Sequence, residues 1–139
     1  MDLQIDYAVV PSGLIASAKT YSLIVKGDTL YGIHVGPAGN SVRTTDPVSR
    51  WAVNKVYERI ARKVEEGMQR MASTDIETLA AEKDSFKCPL SKVTDGELTH
   101  WGHGFRMKFR VDGKKYKFDL SAEQKALAEQ LLGQVRQKA

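Results

Sequence analysis

At 139 residues, with 42% hydrophobic and 27% charged side chains, the chain has the size and make-up of one ordinary globular domain. Its single cysteine, Cys88, excludes an internal disulfide and suits a reducing compartment. Of the 21 basic and 17 acidic residues, six and two lie between Phe105 and Asp119, so that one segment carries the whole net charge of +4 and no general attraction to nucleic acid is implied.

Met1 to Asp6 has neither the basic start nor the apolar run of a secretion signal, and no stretch approaches the ~20 apolar residues of a membrane span. The expectation is a cytoplasmic protein without a transmembrane segment. Ile5, Tyr7 and Val9 alternate with polar residues as far as Pro11, which predicts a first strand with these three side chains on one face; Ser12-Gly13 then reads as a turn. Tyr21 to Lys26 and Thr29 to Val35 predict a hairpin about Gly27-Asp28, since glycine reaches the positive φ of a two-residue turn. That register sets Ile24 opposite Tyr31 and Val25 opposite Leu30. Apolar side chains then fall on both faces, as in a curved sheet covered on both sides.

Gly36-Pro37-Ala38-Gly39-Asn40-Ser41 lacks the Lys-Ser/Thr of a P-loop and the three-glycine spacing of a dinucleotide site, and reads as a connector. A long helix follows, with Asp46 as its N-cap and Pro47 in its first turn. Trp51, Val56, Ile60, Val64, Met68 and Met71 form its apolar stripe, widened by Tyr57 and Ala61. The opposite face is charged, Glu65 and Glu66 included. Thr74 and Glu77 have capping-box spacing ahead of a short second helix around Leu79. Strands return over Phe86 to Leu90 and Ser91 to Leu98, with breaks at Pro89 and Asp95-Gly96. The last hairpin turns at Asp112-Gly113 and points Phe105, Met107, Phe109, Val111, Tyr116, Phe118 and Leu120 inward. Ser121 and Gln124 open a closing helix whose stripe is Ala128, Leu131, Leu132 and Val135.

Catalytic and metal patterns are sparse. His100 and His103 form a His-x-x-His pair in a predicted loop, without the third and fourth ligands that zinc requires. Cys88 lies in an apolar strand, where a thiol is ordinarily packed; only convergence with His34, His100 or His103 in space would activate it. There is no Gly-x-Ser-x-Gly elbow. These readings assign no catalytic residue, no metal ligand and no cofactor. Arg106, Lys108, Arg110, Lys115 and Lys117 remain as ligand-binding candidates, five cations on the outer face of the last hairpin. Such a face can neutralise phosphates of nucleic acid or of an anionic lipid surface. It also protects exposed strands against unwanted pairing, and the hairpin's own aromatic residues turn inward rather than offer a stacking platform.

Pro89-Leu90-Ser91-Lys92-Val93, Phe105-Arg106-Met107-Lys108-Phe109, Lys115-Tyr116-Lys117-Phe118 and the closing amphipathic helix resemble the second half of a bacterial pleckstrin-homology-like (PH-like) domain. The resemblance implies an α+β fold: antiparallel sheets forming a partly open barrel, capped by the C-terminal helix. Asp46 to Lys83 would be a helical insertion between the sheet halves. The closing helix lacks the tryptophan typical of eukaryotic members, and Lys19 and Lys26 do not reproduce their phosphoinositide pattern. The function expected is non-catalytic binding or scaffolding, through a protein partner or self-association. The alternative is an anionic ligand held by the basic face of hairpin 105–119.

Overall fold

The computed structural model describes residues 3–11, 18–37 and 47–138, with only the helical path for 47–57 and 136–138. The expected turn at Ser12-Gly13, the Asp46 cap, the Ala38 to Ser41 part of the connector, and the side chains of Trp51, Val56 and Tyr57 lie outside the described residues. The strands are β1 (Leu3–Val10), β2 (Lys19–Lys26), β3 (Thr29–Pro37), β4 (Phe86–Pro89), β5 (Val93–Trp101), β6 (Gly104–Val111) and β7 (Lys114–Leu120). They form one antiparallel sheet in the order β4-β3-β2-β1-β7-β6-β5. Edge strands β4 and β5 are not joined, so the sheet is not a closed barrel. The helices are α1 (Pro47–Ser73), α2 (Ile76–Ala80) and α3 (Lys125–Lys138). This is an α+β fold.

Turn chemistry fixes much of the register. Gly27 has φ 60° in the β2–β3 turn, and Ile24 pairs with Tyr31 and Val25 with Leu30, as expected. At the β6–β7 turn Asp112 and Gly113 have φ 50° and 83°, the paired positive values of a tight hairpin turn. The Ser121–Gln124 capping box is present, with the Ser121 N–H donating to Gln124 Oε1 at 3.0 Å. It opens a short 3₁₀ turn that leads into α3.

Two apolar clusters lie on opposite faces of the sheet. The larger joins Ile5, Leu23, Val25, Leu30, Met107, Phe109 and Phe118 to Ala128, Leu131, Leu132 and Val135 of α3. The smaller buries Tyr31, Ile33 and Val35 of β3 against Val64 and Leu79, with Ile60, Met68 and Met71 partly buried beside them. Alternate side chains of β3 therefore serve two cores, which explains the apolar residues on both faces of the first hairpin. Gly67 lets α1 come this close. A Cβ at Gly67 would lie 1.9 Å from the carbonyl oxygen of Val35.

Several expectations need correction. Tyr7 does not face the core beside Ile5; it is 55% exposed. Ile5 pairs with Leu23 and Ala8 with Tyr21, so three residues of β1 span two of β2, and this β-bulge hands the inward position to Ala8. Tyr7 sits at φ 58°, left-handed backbone that disfavours a side chain by about 1–2 kcal/mol. Glycine's extra freedom in the unfolded chain returns about 0.5–1 kcal/mol of that. Tyr7→Gly is therefore expected to stabilise by about 0.5–1 kcal/mol, seen as a higher urea midpoint. A lower midpoint would mean that contacts of the exposed ring outweigh the strain.

Asp95-Gly96 is likewise a bulge inside β5 rather than a break, with Asp95 at φ 56°. Strand β5 continues to Trp101, so His100 belongs to a strand and not to a loop. Asp75, not Thr74, precedes α2, and Glu77 reaches out to the sheet instead of closing a capping box. Its carboxylate accepts from Tyr31 Oη and Lys87 Nζ, both at 2.6 Å. The helical insertion connects β3 to β4, which pair with each other, so it interrupts a pair of adjacent strands rather than dividing two sheet halves.

Candidate functional site

The positive turn at Asp112-Gly113 aligns β6 and β7 so that Arg106 faces Asp119, Lys108 faces Lys117, and Arg110 faces Lys115. On the other side of β6, Thr99, Glu97 and Thr94 of β5 face Arg106, Lys108 and Arg110. The outer surface of these three strands is thus a small grid. Its cations come from β6 and β7, and its carboxylates come from β5 and Asp119.

The five candidate cations are not equivalent. Arg106 is tied down: Nε and Nη2 donate to Asp119 Oδ1 and Oδ2 at 2.6 and 3.1 Å. Its Cζ lies 3.5 Å from the centre of the Trp101 ring, and its side chain is only 11% exposed. Arg110 is loosely paired with Asp95, Nε to Oδ2 at 3.6 Å. Lys108, Lys115 and Lys117 are exposed and have no hydrogen bond or ion pair among the described residues. Lys114, beside the turn, lies over the Tyr116 ring, 5.1 Å from its centre. A shallow depression of about 430 Å³ opens here, bordered by Asp95, Glu97, Lys108, Arg110, Lys115 and Lys117.

Like charges set directly across a ladder destabilise it. Lys108–Lys117 and Arg110–Lys115 are two such pairs side by side, with partial relief from Glu97 and Asp95. An anion placed between them would relieve the repulsion.

Sequence reasoning missed Trp101. In β5 it stands opposite Gly104, on the same outer face as Thr99 and Arg106, and it is 53% exposed. The cationic face therefore has an aromatic residue at one end, although Phe109 and Phe118 are buried as expected. The signal was the second glycine-bearing turn, Gly102-His103, where Gly102 takes φ 57° and lets the strands run on past Leu98.

The remaining candidates are dispersed. Cys88 is buried opposite Leu30, and burial, followed by the charge of Asp112, pushes its thiol up to about 11. It is a neutral thiol at physiological pH. His34 stands four residues along β3 from Leu30, about 13 Å by strand rise. Burial chiefly lowers its pKa, and its ring packs edge-on against Tyr21 at 5.6 Å. His100 packs against Phe105 near the far edge of the sheet, also at 5.6 Å. Among the described residues no three His, Cys, Asp or Glu side chains form a group able to hold a metal ion. No described helix is long and apolar enough to cross a membrane.

Fold and surface together define an α+β protein with an open antiparallel sheet, helices against both faces, and a cationic patch on the outside of its last hairpin. No protein-family model, no curated protein and no solved structure matches this chain.

Proposed function

We propose that this is a non-catalytic binding domain of the PH-like kind, which holds an anionic ligand on the outer face of β5, β6 and β7. The PH-like reading draws support from the run of seven antiparallel strands closed by α3, with α1 and α2 inserted between β3 and β4. The ligand reading is carried by one observation: Lys108, Lys115 and Lys117 are exposed, unpaired among the described residues, and set in like-charge cross-strand pairs. This is why an anionic ligand is preferred here to contact with an uncharged protein surface. Lys108, Arg110, Lys115 and Lys117 make the contacts, and Arg106 serves as a support.

Binding of inorganic polyphosphate, followed by titration calorimetry across a salt series, tests the reading. Each lysine lost from the contact should reduce the slope of log K against log salt by about one. The triple variant Lys108→Gln, Lys115→Gln, Lys117→Gln is therefore expected to flatten the slope by about 2–3 and to abolish binding near physiological salt. Wild-type protein that ignores polyphosphate even at low salt would refute the assignment.

A further inference from the structure

We infer that the anionic ligand is a single-stranded nucleic acid, with one base stacked on Trp101 and its phosphates running along the cations of β6 and β7. This rests on the anion-binding reading and adds a ligand class to it.

The first support is how Trp101 is held. The carboxylate of Asp119 fixes the Arg106 guanidinium through two hydrogen bonds, and the guanidinium lies 3.5 Å from the indole centre. Arg106 is 11% exposed while Trp101 is 53% exposed, so the cation lies on the sheet side of the ring and the far side faces water. A large aromatic ring held at a fixed tilt, with an open π face, is a stacking platform for any base. An exposed tryptophan with no partner would have no need of a bidentate Asp–Arg support beneath it.

The second support is spacing and sign. Side chains on one face of a strand recur every second residue, about 6.8 Å, which is commensurate with successive phosphates of an extended nucleic-acid strand. Lys108 and Arg110 follow Arg106 at that interval, with Lys117 and Lys115 opposite them on β7. Trp101 stands four residues along β5 from Glu97, the cross-strand partner of Lys108, or about 13 Å, within the reach of a short oligonucleotide.

The third support is the acidic border. Asp95 and Glu97 keep phosphates off the β5 side of the depression and confine them to the β6 and β7 side. Carboxylates there can accept hydrogen bonds from the amino groups of bases, as Glu and Asp do from cytosine. The phosphates then follow β6 and β7 while the bases lean towards β5. A duplex keeps its bases stacked and offers none to Trp101, so an unpaired strand is the form that fits.

The test measures anisotropy with a short fluorescein-labelled mixed-sequence RNA, the DNA strand of the same sequence, the matching duplex, and inorganic polyphosphate. Both single strands should bind more tightly than the duplex. Trp101→Ala should weaken single-strand binding about 5- to 150-fold, the equivalent of about 1–3 kcal/mol of base stacking, and leave polyphosphate binding unchanged. Trp101→Phe should retain most of the affinity and establishes that the site is folded. Trp51 also fluoresces, so the difference between wild type and Trp101→Phe isolates Trp101; its emission should be quenched by single strands and not by polyphosphate. If polyphosphate, duplex and single strands bind alike, and Trp101→Ala is silent, the nucleic-acid inference falls and the anion-binding reading stands. Binding to phosphatidylserine-containing vesicles but to neither single strand overturns it in favour of a membrane ligand. Absence of all binding removes both readings.

Discussion

Phe118→Ala, which truncates the largest fully buried side chain among the described residues, is expected to lower the free energy of unfolding by about 3–5 kcal/mol. Phe118 is fully buried in the larger core. Its ring stacks with Phe109 of β6 at 5.7 Å and meets Tyr21 of β2 edge-on at 5.6 Å. Tyr116, of β7 like Phe118, stacks on Phe109, and Phe86 of the edge strand β4 packs on Tyr116 at 4.4 Å. These rings bring the edge strand β4 and strand β2 against β6 and β7, which are not their neighbours in the sheet. Truncation removes the ring contacts of Phe118 with Tyr21, Phe109 and Tyr116 and leaves a void that β strands, held by their ladders, cannot collapse to fill. A domain with about 5–15 kcal/mol in total would lose a large fraction of it. Urea unfolding followed by circular dichroism reads the change. Phe118→Leu should cost less, and a loss below about 1 kcal/mol for the alanine variant would show that the ring is not central to the core.

The second expectation has a sign that separates two effects. Inside an isolated helix, alanine is favoured over glycine by about 0.8–1 kcal/mol. At Gly67 the added Cβ would fall 1.9 Å from Val35 O, an atom of strand backbone that cannot rotate away. Helix α1 must then lift off β3 and loosen Val64 from Ile33 and Val35. Overpacking of this kind costs about 1–3 kcal/mol, occasionally more. Gly67→Ala is thus expected to destabilise by up to about 2 kcal/mol net, against the propensity. Gly133→Ala in α3 is the control, because a Cβ there meets nothing within 4 Å, and it should stabilise by up to about 1 kcal/mol. Two Gly→Ala changes in helices, measured together, should move in opposite directions. Both variants stabilising would mean that α1 does not rest on β3 through Gly67.

The parts of the fold that were legible in the sequence are those set by neighbours along the chain. Gly27-Asp28 and Asp112-Gly113 determine two hairpins because positive φ is needed there, and once the turn is placed the pairing follows by counting outward. The Arg106–Asp119 pair follows from that same count about Asp112-Gly113. What could not be read depends on three-dimensional packing. The bulge at Asp6-Tyr7 carries no glycine, and a tyrosine with φ 58° has no local signature. It reversed Tyr7 relative to the simple alternation. The bulge at Asp95-Gly96 has the local signature of a turn, an aspartate before a glycine, and only the pairing of β5 with β6 beyond it sets the face on which Trp101 stands. Gly67 is an ordinary blemish in a helical pattern until its distance from Val35 is known. In the candidate site, the charge was legible residue by residue, while the distinction between a locked Arg106 and unpaired lysines was not, because it depends on side-chain partners across strands.

The placement of α1 and α2 bears on how far this chain can change. The chain leaves the sheet after β3 and re-enters at β4 immediately beside it: His34 N–H donates to Ser85 Oγ at 2.9 Å, and Gly32 pairs with Phe86. The helical segment is thus topologically the loop of a hairpin, grown to the size of a subdomain. Doubling the length of such a loop adds only about 0.6 kcal/mol of closure entropy. Its helices can lengthen, shorten or be exchanged while the ladder on which Lys108, Lys115, Lys117 and Trp101 are mounted keeps its register. The constraint falls on Tyr31, Ile33 and Val35, whose side chains require some apolar lid, whatever its shape. The two ends of this protein are therefore free to diverge at different rates, one under the demand for cover and the other under the demand for charge.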